Sequence, residues 1–149
     1  MIVLCIGNDL RRDDGAGAAV GERLEALHPV DMVIYRAFQL LPEHAELIAG
    51  HDVCIFVDAS LEASAVTLRR IAAEAGRAEL HALSFPALLA MARALFGAVP
   101  EGWQCEIPGF DFTHGEELSD RTSLAVDEAV EMIMAFHQER GGRRSIPNT

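Results

Sequence analysis

Ile2-Val3-Leu4-Cys5-Ile6-Gly7-Asn8-Asp9-Leu10-Arg11-Arg12-Asp13-Asp14-Gly15-Ala16-Gly17 stands at the head of the sequence. Five consecutive apolar residues closed by Gly7-Asn8 suit a strand buried on both faces and followed by a turn. Helical spacing then takes over at Ala16, Val20, Leu24 and Leu27 and stops at Pro29. Val30 to Ala37 reads as a second strand, and Pro42 to Ala49 as a helix begun by proline and ended by Gly50. Val53 to Val57 is a third strand, apolar throughout. This alternation predicts an α/β three-layer sandwich, with a twisted, mainly parallel sheet covered by helices on both faces.

The remaining elements extend that plan. Val66 to Ala72 reads as a strand, and Ser84 with Pro86 opens a helix that ends at Gly97. Trp103 to Ile107 is the last strand, and Ser119 is placed to cap a final helix carrying Val126, Val130 and Ile133. One domain is expected over residues 1–140, with a polar tail, 141–149, expected to be disordered. Half of the 149 residues are apolar, enough for one core and one site.

Composition removes several function classes. A formal charge of -11 argues against nucleic acid or an anionic membrane as partner, because phosphate contacts need clustered bases. All 12 strong bases are arginine, and without lysine neither Schiff-base chemistry nor a Walker-type phosphate loop is possible. No apolar run approaches the roughly 18 residues of a membrane span, and the first strand lacks the basic flank of a signal peptide. The protein is therefore expected to be soluble and cytoplasmic. Cys5, Cys54 and Cys105 are odd in number and far apart, so they read as reduced, mostly buried thiols.

In open parallel sheets ligands gather at the carboxyl ends of the strands, which singles out Asp14, Asp58 and His81. Each also has an ordinary explanation. Asp13 and Asp14 fall in a first turn, where the helix dipole favours negative charge, and Asp58 stands where a loop begins. A lone histidine is more often a surface or core residue than a ligand, and His28, His44, His51, His114 and His137 are assigned to the surface. If they converge, two carboxylates and an imidazole make a mixed oxygen and nitrogen set suited to a borderline divalent metal. Dinucleotide binding is disfavoured, since the glycine spacing is wrong and adjacent carboxylates would repel a pyrophosphate. The usual serine, zinc and cysteine protease motifs are missing from the sequence.

Residues 7–17 resemble the opening pattern of the hydrogenase maturation endopeptidases, Gly-Asn-x-Leu-x-x-Asp-Asp/Glu-Gly-x-Gly. Gln39-Leu40-Leu41-Pro42-Glu43 is similar to a segment in one branch of that family, and Phe56-Val57-Asp58-Ala59 resembles its second acidic motif. His81 matches a histidine before a leucine-rich helix, and Gly109 with Gly115-Glu116-Glu117-Leu118-Ser119 resembles the closing loop. The resemblance covers about residues 2 to 137.

It implies a peptidase that clips the C-terminal extension from a nickel-iron hydrogenase large-subunit precursor once nickel is inserted. Asp14, Asp58 and His81 would contact that nickel, which the substrate supplies and the resting protein does not hold. Asp14 or Asp58 would serve as general base, the sequence not deciding which, with Asn8 orienting Asp14. The same three ligands would also suit a non-catalytic nickel-binding accessory protein of hydrogenase assembly.

Overall fold

The structure, a computed structural model, describes residues 1–75 and 83–144. Five strands, β1 (Ile2–Ile6), β2 (Val33–Ala37), β3 (Val53–Ser60), β4 (Thr67–Ile71) and β5 (Glu101–Pro108), form one sheet in the order β2-β1-β3-β5-β4. All neighbours are parallel except β4, which runs antiparallel along β5 at one edge. The helices are α1 (Ala16–Ala26), α2 (His44–Ala49), α3 (Phe85–Phe96) and α4 (Asp120–Arg144).

Side-chain alternation divides the apolar strands between two cores. Val3, Cys5, Ile55, Val57, Cys105 and Ile107 pack under α1 and α4 with Val20, Leu24, Val126 and Ile133. Ile2, Leu4, Cys54 and Phe56 face α2 and α3 with Ile48, Leu88 and Leu89, and Phe56 stacks on Phe85 at 4.6 Å between ring centroids. Each large side chain removed from water in this way contributes about 1.5–3 kcal/mol. The three thiols are free and buried, and burial pushes those of Cys5 and Cys105 up to about 12. Among the described residues no helix is long and apolar enough to cross a membrane.

Several boundaries differ from the sequence reading. β2 starts at Val33, not Val30, because His28 and Asp31 take left-handed φ values of 47° and 60° and turn the chain after Pro29. α2 starts at His44, since Leu41 and Pro42 form a turn whose carbonyls accept from His44 and Ala45. β3 continues three residues beyond Val57, because β5 pairs with it as far as Ser60 against Pro108. Asp58 therefore lies within a strand and not after one. α4 reaches Arg144, past the expected start of the tail at residue 141; Arg140 fixes its last turns by lying over Phe136 and pairing with Glu101. The α3 boundaries are as expected: Ser84 Oγ accepts the Ala87 amide, and Gly97 closes the helix at φ 70°.

Candidate active site at the carboxyl end of the sheet

The segment after β1 is compressed by its glycines. Gly7 has φ 150°, and a Cβ there would lie 2.1 Å from the Asp14 carbonyl oxygen. At Gly17 a Cβ would lie 2.3 Å from the Ile6 carbonyl oxygen and 3.1 Å from that of Val57. Only glycine lets α1 begin directly over the ends of β1 and β3. Between them, Arg12–Gly15 forms a 3-10 turn that presents Asp14, half-buried, beside the strand ends. The Asn8 backbone amide donates to Asp14 Oδ2 at 3.2 Å. The Asn8 side chain is used otherwise, accepting the Leu10 amide at 2.9 Å.

Asp58 has the same strand parity as Cys54 and Phe56, and it pairs in register with Glu106 on β5. Burial pushes its carboxyl up to about 6; the Ala59 amide, donating to Oδ1 at 2.9 Å, opposes the rise, and the charges of Asp14 and Glu106 add to it. Asp14 and Asp58 are thus close enough to interact across the ends of β1 and β3. Glu106 is a third carboxylate in this field that sequence reading missed, because only the β3–β5 register shows it beside Asp58. His81 lies outside the described residues. Among the described residues no group of three His, Cys, Asp or Glu side chains is arranged to hold a metal ion.

The other histidines are mixed in placement. His28 and His114 are exposed, as assigned, and His51 and His137 are partly buried, with His137 Nε2 2.6 Å from the Val30 carbonyl oxygen. His44 corrects the surface assignment. It is 5% exposed, its Nδ1 accepts the Leu41 amide at 2.9 Å, and its ring meets Tyr35 edge-on.

Asp13, by sequence an ordinary first-turn acid, is the most connected carboxylate in this region. It is 0% exposed, and its Oδ2 accepts from the Phe110 amide (2.8 Å), the Asp111 amide (3.0 Å) and Ser119 Oγ (2.9 Å). Oδ1 accepts the Ser119 amide at 2.7 Å. Burial alone would raise its pKa, but the donors outweigh it and hold the carboxyl below its ordinary value. The segment 109–119 is thereby fastened to the 3-10 turn, reinforced by Arg12 N–H to the Gly115 carbonyl at 2.8 Å and Asp13 N–H to that of Asp111 at 2.9 Å.

Arg12 adopts a left-handed φ of 44° in this turn. An L-residue is disfavoured there by about 1–2 kcal/mol. Its nearest carboxylate, Asp111, is 3.7 Å away and exposed, a pair of little energetic weight. Arg12→Gly is therefore expected to stabilise the protein by about 0.5–1 kcal/mol, seen as a higher urea midpoint. A lower midpoint would mean that the guanidinium packed on Gly115 contributes more than the backbone strain it accompanies.

This three-layer α/β sandwich is similar in fold to solved structures named as hydrogenase maturation endopeptidases. The hydrogenase maturating endopeptidase HybD from E. coli superposes with a TM-score of 0.77 at 21% identity, covering 94% of this chain and 93% of that one. The NiFe hydrogenase maturation protease HybD from Thermococcus kodakarensis gives 0.71 at 25% identity, covering 91% and 97%. HycI, a NiFe hydrogenase maturation protease from the same organism, gives 0.71 at 22%, covering 89% and 88%. No family model and no curated protein matches the sequence.

Proposed function

We propose that the protein is a hydrogenase maturation endopeptidase that removes the C-terminal extension of a nickel-iron hydrogenase large-subunit precursor, in the cytoplasm, after nickel insertion. What supports this reading is the carboxylate pair Asp14 and Asp58 at the sheet end, on a fold shared over nine-tenths of the chain with proteins named as maturation proteases. Nickel belongs to the substrate in this scheme. Two hard carboxylates and the imidazole of His81, the ligand set implied by the resemblance, suit a borderline divalent ion that needs further ligands from the precursor. The metal would place the scissile peptide beside the two carboxylates.

The protein's own groups then divide the work. Asp58, whose carboxyl burial pushes up to about 6, takes the proton from the attacking water, and Asp14, which accepts the Asn8 amide, faces the metal-bearing segment. The test is incubation of purified protein with nickel-loaded and nickel-free precursor, read by mass. Only the loaded precursor is expected to lose its C-terminal peptide, and calorimetry is expected to show weak nickel binding by the protein alone. Equal cleavage of nickel-free precursor would refute recognition through nickel. Tight nickel binding without any cleavage would favour the accessory-protein reading.

A further inference from the structure

We propose that Asp13 is a positioning residue for Asp14, fixing the acidic turn to the segment 109–119 so that the neighbouring carboxylate is aimed at substrate; this rests on the endopeptidase reading above. Asp13 and Asp14 are consecutive in a four-residue 3-10 turn, so displacement of one backbone unit moves the other. On the strand side the turn is already fixed by Gly7 under the Asp14 carbonyl and by Asn8 N–H on Oδ2. On the outer side the fixed points are two backbone bonds and the four donors converging on the Asp13 carboxylate.

A carboxylate is the only common side chain of this size that accepts at both ends. An amide in its place must turn an NH2 toward an N–H or O–H donor, whichever way it is flipped. Neither arrangement keeps all four bonds, and the buried turn must shift. Such a shift matters for Asp14 because reacting groups must be held within a fraction of an ångström. Asp13 itself is fully enclosed and touches no substrate.

The experiment compares Asp13→Asn and Ser119→Ala with the parent, on nickel-loaded precursor well below each melting temperature and normalised to folded protein. The Asn8 amide is followed by NMR in the same samples. Asp13→Asn is expected to lower kcat by about 30-fold or more with KM within about twofold, and to shift the Asn8 amide resonance as its bond to Asp14 loosens. Ser119→Ala removes one hydroxyl donor to Asp13 and the hydroxyl that accepts the Thr122 amide at the start of α4, but keeps the Ser119 amide on Oδ1, so it should fold, somewhat less stably, and show a smaller change of the same kind in kcat and the Asn8 amide. Parent-like kcat and an unmoved Asn8 amide in folded Asp13→Asn would overturn the proposal. Should that variant not fold, the same result in Ser119→Ala would overturn it. If the parent itself cleaves nothing, the endopeptidase reading falls, and the Asn8 amide still decides whether Asp13 positions Asp14.

Discussion

Asp58→Asn is expected to yield a protein that cleaves no precursor yet is more stable than the parent at pH 8. The amide has nearly the same volume, and its oxygen still accepts the Ala59 amide, so packing and the local hydrogen bond survive. What disappears is the charge that attracts the substrate's metal and the capacity to take a proton. The stability gain follows from the sign of the pKa shift. Because the folded pKa is raised from 3.8 to about 6, the native state binds the extra proton more tightly than the unfolded chain. Relative stability is therefore greatest below about pH 4 and is lost as pH rises through about 6. The full displacement corresponds to roughly 3 kcal/mol, a loss that the amide does not suffer. Urea titrations of both proteins should diverge between pH 4 and 6 and stay apart above it. Asp14→Asn should also abolish cleavage, with the Asn8 amide still finding an oxygen acceptor. If Asp14 and Asp58 only cap a turn and a strand end, asparagine would serve as well and both variants would cleave normally.

Gly17→Ala is expected to cost at least about 3 kcal/mol, among the larger losses available to a single methyl group. The added Cβ would meet two backbone carbonyl oxygens, those of Ile6 and Val57, and neither can rotate away as a side chain would. Relief requires α1 to lift from the ends of β1 and β3, opening the core around Val20, Leu24 and Val57. The 3-10 turn carrying Asp14 immediately precedes this helix, so cleavage should fall along with stability. A midpoint within about 1 kcal/mol of the parent would show that α1 can move outward at little cost. Gly50 is the control, because a methyl added there would meet only the Leu47 carbonyl oxygen, at 3.8 Å. Gly50→Ala should change stability far less.

Much of this architecture is written locally. The runs Ile2–Ile6 and Val53–Val57 are apolar at every position because both faces are covered, and strands of that kind announce a central parallel sheet. Ser84, Pro86 and Gly97 mark α3 because caps act within one turn of the chain. The spacing of Gly7, Asp14, Gly15 and Gly17 after the first strand points, in the sequence alone, to the same end of the sheet as Asp58. Other features depend on residues far apart in sequence. The direction of β4, the extension of β3 through Asp58, and the place of Glu106 beside it arise from pairing with β5. His44 is buried because Tyr35 and the Leu41 amide surround it, although its helix position suggests exposure. Asp13 looks like any first-turn acid until Phe110, Asp111 and Ser119 are brought to it from about a hundred residues away. Periodicity and capping are short-range and can be read along the chain, whereas the burial and charge environment of a carboxylate is set by whichever distant backbone donors and acids the fold delivers to it.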